Sequence, residues 1–400
     1  MKKFLLATAA CALAAGSASA EDVKLGILLG FTGPIETIAP NMALASEMAI
    51  KEVNDSGKAA NGWVFSGVRA DSSCIDAALA TAAAERLITS ESVKGIIGAD
   101  CSGVTRAVLT NVAMPNGIVM ISPSATSPAL SDDPDEGLFF RTVPSDAREG
   151  IIMGDILAER GVKSIAISYS NSDYGKGQAD AIAAAAEAKG IKVTINASHD
   201  DGKADYSAEV AALAAAGGDV LVVAGYVDQG GKGIIQAAVD TGAFTTFGLP
   251  GGMFGESLTE AIGAPLEGSY GQHPSSDAAG YQTYLDMATA NDPSFDGTTN
   301  FAPNTYDATA IMILAMQAAG STDPKVYKDK IMEVANGPAD GSGEVINPGE
   351  LGKALELIAA GKAINYEGAT GVTFLENGDV TGRYREYEIK DGKWETVKYH

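Results

Sequence analysis

Between residue 23 and about residue 247, short β-branched runs alternate with Ala-rich stretches of helical spacing, and the alternation occurs twice. Runs at 23–29, 64–70, 95–98 and 118–121 form one series of four strands. Runs at 164–168, 192–196, 220–223 and 245–247 form a second. Between strands, Ala45, Met48, Ala49 and Val53 repeat at helical spacing, as do Tyr206, Val210, Leu213 and Ala214. Parallel neighbours need crossover helices, so this order predicts an α/β chain with parallel sheets covered on both faces. Two series predict two doubly wound, Rossmann-like lobes, with residues 139–144 read as a crossover between them. After residue 271 the pattern becomes mostly helical (278–290, 306–319, 325–335, 352–360). It closes with strands near 371–375, 383–389 and 394–398, and turns at Asn377-Gly378 and Asp391-Gly392. The expected division places 21–142 plus about 273–380 in lobe 1, and 143–272 plus about 381–400 in lobe 2. Lobes joined by several crossovers leave an interlobe cleft that closes about a hinge.

Residues 1–20 belong to neither lobe. Met1-Lys2-Lys3 is a basic start, residues 4–15 are apolar but too short to span a bilayer, and Ala18-Ser19-Ala20 is a cleavage signal. A signal peptide cut after Ala20 is therefore expected, with the mature chain beginning at Glu21 in the periplasm. A buried N-terminal helix and a lipoprotein anchored at Cys11 are weaker readings, the latter because Thr8-Ala9-Ala10 lacks the aliphatic residue such a signal needs. With Cys11 removed, Cys74 and Cys101 remain. In an oxidising compartment they read most simply as a disulfide, with two free buried thiols as the competing reading. Closing a loop of about 27 residues is worth roughly 3 kcal/mol on the chain-entropy account.

The chain carries 28 Lys and Arg against 51 Asp and Glu, a net charge of −23; loss of Lys2 and Lys3 takes it to −25. Nucleic acid and anionic membrane are excluded as partners, since both require a basic face. No metal site is expected from three His and three Cys. No mature run approaches the ~18 apolar residues of a membrane span.

In open α/β sheets ligands lie beyond the carboxyl ends of strands. Those ends carry residues 30–34, 101–105 and 122–128 in the first series, and 169–175, 225–228 and 249–253 in the second. The first group is rich in hydroxyls and small residues and holds no Asp or Glu. Ser102 at a helix start reads either as a plain N-cap or, with its neighbour loop, as part of an anion site for a carboxylate. Tyr174 and Tyr226 are candidate lid residues. No nucleophile elbow, phosphate loop or dinucleotide fingerprint occurs, so no enzyme and no cofactor are expected. His199, in Ser198-His199-Asp200-Asp201, reads as a solvated turn. His273 can face the cleft but has no catalytic partner. The acidic stretch 132–136 reads as solvated surface, with calcium the weaker reading.

These loops resemble those of the type I periplasmic binding proteins that feed ABC importers, in the leucine/isoleucine/valine-binding branch. The likeness runs through the whole mature chain. It rests on residues 29–34 (LGFTGP), Cys101-Ser102, 121–126 (ISPSAT), Phe140-Arg141-Thr142, Tyr174-Gly175 and Thr305-Tyr306-Asp307-Ala308. The resemblance implies that Ser102 and Thr126 hold a ligand carboxylate and that a backbone carbonyl at Ser124, in the loop containing Ala125, meets an ammonium. It further implies that Tyr174 and Tyr226 close over the ligand, and that a monomer delivers it to an inner-membrane permease. Two positions depart from the pattern. The acid that pairs with the ammonium falls at Gly251, and an aromatic residue of the first loop falls at Ile38. Either Asp228 supplies the counter-charge, or the ligand is not a simple α-amino acid, with room at Gly251 and Met253 as an adaptable apolar wall. A sensor or regulatory protein of the same fold, or a receptor for another organic acid or amide, is the alternative.

Overall fold

The computed structural model describes residues 21–400; the expected signal peptide lies outside the described residues. The first sheet is wholly parallel. Its strands are β1 (Glu21–Leu29), β2 (Trp63–Asp71), β3 (Ile96–Gly98), β4 (Met120–Ser122) and β5 (Phe139–Arg141), in the order β2-β1-β3-β4-β5. The second has seven strands. They are β6 (Ser164–Ser170), β7 (Lys192–His199), β8 (Val220–Ala224), β9 (Phe247–Leu249) and β10 (Tyr270–Pro274), with β13 (Tyr384–Lys390) and β14 (Lys393–Tyr399) added antiparallel at one edge. A small parallel pair, β11 (Glu344–Ile346) with β12 (Ile364–Tyr366), stands apart. The mixed α/β architecture with two doubly wound sheets is as the alternation implied.

Three details differ. Residues 139–141, read as a crossover, form the fifth strand of the first sheet. Residues 270–274 form β10 where a helical pattern was expected to begin. The strand expected at 371–375 reduces to a single bridge between Phe374 and Val380. Strands of three residues buried on both faces have no alternation to display, so periodicity cannot separate them from apolar loops. At Asp391-Gly392 the expected tight hairpin is present, both residues lying at positive φ (50° and 73°) as a primed turn demands.

Helix Ala302–Ala319 is the axle of the first lobe. It is buried on nearly every side from Ala302 to Gln317, as an apolar all-round helix must be. Asp307 in its second turn accepts hydrogen bonds from Tyr366 Oη (2.8 Å), Ala369 N (2.8 Å) and Thr370 N and Oγ1 (2.9 and 2.6 Å), which fixes the segment after β12. No helix among the described residues is long and apolar enough to cross a membrane.

Two ties hold the loops at the strand ends. Cys74 and Cys101 form a disulfide joining the segments after β2 and β3. Arg141, fully buried at the end of β5, donates to Ala125 O and Ser127 O (3.0 Å each), Ser131 Oγ (2.7 Å) and Asp379 Oδ1 (2.6 Å). One guanidinium thus fixes the loop after β4 and a crossover segment together. Removing a buried charge leaves its partner unpaired, which costs about 3–5 kcal/mol. Arg141→Met should lower urea-unfolding stability by that amount; a variant of wild-type stability would show that Asp379 and the loop are held by something else.

Candidate functional site

The loops after β1, β3 and β4 meet those after β6, β8 and β9 across a cleft that is closed in this structure. Between them lies a cavity of about 80 Å³ lined by Ile35, Ile38, Ser102, Ser124 and Thr126 on the first side. Glu149, Tyr174, Tyr226, Asp228, Gly251 and Phe254 line the second. Eight of the ten residues proposed from sequence for ligand contact, Gly251 and seven others, therefore line one cavity. The others are Ile38, Ser102, Ser124, Thr126, Tyr174, Tyr226 and Asp228.

The hydroxyl side is built by short backbone contacts. Cys101 is the N-cap of helix Ser102–Val108, with no side-chain cap. Ser102 is its first residue, and its Oγ accepts the Ser127 N–H at 3.0 Å. The N-cap reading of Ser102 is corrected: its side chain pins the loop after β4 rather than the helix end. Ser124 Oγ donates to Asp100 O at 3.0 Å. The Thr126 carbonyl accepts Asp146 N–H at 2.8 Å, linking that loop to the first turn of helix Asp146–Glu159.

Two expectations about side chains fail. Ala125 is fully buried in the first lobe's core, its carbonyl taken by Arg141, and it does not line the cavity. Met253 is fully buried in the second lobe's core, against Gly231, so it is no wall of the site. A turn at residues 251–253 sends Met253 inward and gives the wall to Phe254.

The lid is assembled. Tyr174 and Tyr226 pack with ring centroids 5.1 Å apart, both largely buried beside Cys101 and Val104 of the opposite lobe. Gly252 N–H donates to Tyr174 Oη at 3.1 Å. A Cβ at residue 252 would collide with that hydroxyl and with the Gly225 carbonyl.

A carboxylate that the sequence reading did not single out stands beside Gly251 at the cavity wall. Glu149, 1% exposed, accepts the Gly251 N–H at 2.7 Å and Gln272 Nε2 at 3.3 Å. A Cβ on residue 251 would stand 3.3 Å from Glu149 Oε1. The Pro274 ring lies as close, at 3.2 Å, so residue 251 is packed tightly between the two. Beside it, Asp146 is fully buried, and its Oδ2 has no hydrogen-bond partner. Burial pushes both carboxyls above the usual range, and the Asp146 charge adds to the rise at Glu149. Spacing gave no sign of Glu149, which sits in an ordinary amphipathic helix; its burial at the cleft was the missing information.

The other cavity acids are already engaged. Asp100 accepts from Gly30 N–H, Ser72 Oγ (2.7 Å) and Cys101 N–H (3.0 Å). Asp228 accepts from Ser257 Oγ at 2.7 Å and Thr37 Oγ1 at 3.3 Å, and it lies 3.6 Å from Lys232 Nζ. No Lys, Arg or His among the described residues lines the cavity. It is thus bipolar, with hydroxyls and a helix start at one end and an uncompensated buried carboxylate at the other. The apolar flank is formed by Ile35, Ile38, Val227, Phe254 and Phe301.

His199 corrects another reading. It is buried, not a solvated turn, and its Nδ1 lies 2.8 Å from Ser168 Oγ at the end of β6. Asp133 in the acidic stretch pairs with Arg106 at 2.7 Å.

The Gly252 contact generates a direct test. Gly252→Ala must displace Tyr174 or the turn, and overpacking of this kind costs about 1–3 kcal/mol. A thermal melt should register that loss; an unchanged melting point would mean the turn moves freely and does not seat the lid.

A family model described as periplasmic binding protein matches residues 22–393. The leucine-, isoleucine-, valine-, threonine- and alanine-binding protein of Pseudomonas aeruginosa is 28% identical over 333 residues, covering 81% of this chain and 86% of that protein. Among solved structures, a branched-chain amino acid transporter substrate-binding protein from Streptococcus pneumoniae in complex with isoleucine aligns with a TM-score of 0.75. Its identity is 22%, over 94% of this chain and 99% of that one. A solute-binding protein of an R. palustris ABC transporter, in complex with 4-hydroxybenzoate, aligns at 0.76 with 17% identity, over 95% and 97%.

Proposed function

The chain belongs to the periplasmic binding protein family, and on that premise we propose that it is the substrate-binding component of an ABC importer, closing on an α-amino acid with a small aliphatic side chain. One observation carries the ligand class: Glu149 is buried at the cavity wall with no basic side chain lining the cavity among the described residues. A buried carboxylate without a counter-charge is costly, and a ligand ammonium supplies the missing partner. The ligand carboxylate faces Ser102, Ser124 and Thr126, and the aliphatic group lies against Ile35, Ile38 and Phe254. Asp228 is not needed as the counter-charge, since Lys232 and Ser257 already satisfy it.

An aromatic acid of the kind seen in the R. palustris protein has a carboxylate but no cation, so it leaves Glu149 unpaired. On this reading the signal peptide directs the chain to the periplasm, where it acts as a monomer. It releases its ligand to an inner-membrane permease and breaks no bond itself.

Calorimetric titration of the mature protein with leucine, isoleucine, valine and benzoate tests the proposal. Loss of one partner of a buried charge pair costs about 2–5 kcal/mol. Glu149→Gln should therefore weaken leucine binding by about 30-fold to a few thousandfold, while Asp228→Asn changes it by less than about tenfold. Wild-type leucine affinity in Glu149→Gln, or binding of benzoate with none of the amino acids, would overturn it.

A further inference from the structure

A second and larger cavity, of about 770 Å³, lies behind the first, along the segments where the chain passes between lobes. Thr142 and Pro144, Pro274 to Ser276, and Val380, Gly382 and Arg383 line it, one group from each passage. Ile38, Phe254, Pro274, Asn300 and Phe301 line both spaces, so the two adjoin along one shared wall.

Its wall is chemically specific. Phe254 stacks on His273 with centroids 4.1 Å apart and planes within 13°, and packs against Trp394 at 4.9 Å and Tyr387 at 5.2 Å. The Arg385 guanidinium stands 5.5 Å from the Phe254 ring centre. Around this cluster polar groups lie buried without hydrogen-bond partners: both ring nitrogens of His273, Arg385 Nε and Trp394 Nε1. His273 is only 6% exposed. Buried donors normally find partners, in the protein or in something bound. Burial, with Arg385 adding to it, pushes the His273 pKa down to about 3, so the ring is neutral and offers one donor and one acceptor.

The charges lining this space are Arg383, Arg385 and Lys393 against Glu256 and Asp296. Arg383 pairs with Asp277, and Asp296 is held by the Thr298 N–H and Oγ1. Among the described residues no carboxylate pairs with Lys393 or with Arg385, whose Nη2 donates to Trp394 O at 3.1 Å, whereas Arg383, just before β13, pairs with Asp277. A planar guanidinium matches a carboxylate in two parallel hydrogen bonds, and the aromatic wall favours a flat apolar body.

We propose that this cavity is a second binding site, separate from the amino-acid cavity, for an organic anion that carries a carboxylate on an aromatic body. The carboxylate meets Arg385 and Lys393, and the ring lies along Phe254, His273 and Trp394. This assignment does not depend on which ligand fills the first cavity.

Trp394 provides the reporter, since the chain holds only two tryptophans and Trp63 lies in β2. In Trp63→Phe protein, titration with benzoate should give a saturable change in Trp394 fluorescence, both alone and in the presence of leucine. Arg385→Gln and the exposed-position variant Lys393→Gln should each weaken that response by about tenfold or more, with circular dichroism showing a wild-type fold. Three results would overturn the proposal: no saturable response at millimolar benzoate, a response unchanged in both charge variants, or a response that disappears on competition by leucine. The last would place benzoate in the first cavity.

Discussion

A carboxylate buried at a cavity wall with no basic side chain beside it is the constraint around which the cleft is organised. Glu149 is held by the Gly251 N–H and Gln272, neutral donors that orient it without cancelling its charge. Asp146, one helical turn earlier, deepens the negative potential. The folded-state pKa of both is raised, so their contribution to the stability of the unliganded protein is present at low pH and is lost as pH rises through those raised values. A cationic group arriving in the cavity reverses that loss.

The remaining features follow from presenting that carboxylate. Residue 251 packs closely against Glu149 and Pro274, and residue 252 has no side chain because the Tyr174 hydroxyl and the Gly225 carbonyl take the space where one would lie. The turn that holds both glycines directs Met253 into the core and exposes Phe254. On the opposite lobe, Ser102 is spent on the Ser127 N–H and Arg141 on the carbonyls of Ala125 and Ser127, which fixes the hydroxyl wall before any ligand arrives. Preorganisation of this kind lowers the ordering cost of binding.

The sequence made the architecture legible because β-α-β-α order allows few alternatives, and strand ends locate a cleft without any tertiary information. Short buried strands such as 139–141 and 270–274 escaped because they have no alternation. Within the site, hydroxyls and tyrosines on loops were readable, but side-chain direction inside a turn was not, so Met253 and Ala125 were misassigned. Glu149 escaped for a related reason. On a helix its spacing matches any solvated face, and only the packing of that helix against β10 and the Gly251 turn turns it inward. His199 shows the converse: a polar neighbourhood in sequence enclosed by Ser168 and Tyr206 in space.

The claim at the centre is that a ligand cation takes the place of protons on buried carboxyls. Calorimetric titration of leucine in buffers of different ionisation enthalpy, between about pH 5 and 8, counts the protons exchanged on binding. The account predicts net proton release at the acid end of that window, fading as the carboxyls become ionised without help. Proton uptake, or no exchange at any pH in the window, would contradict it.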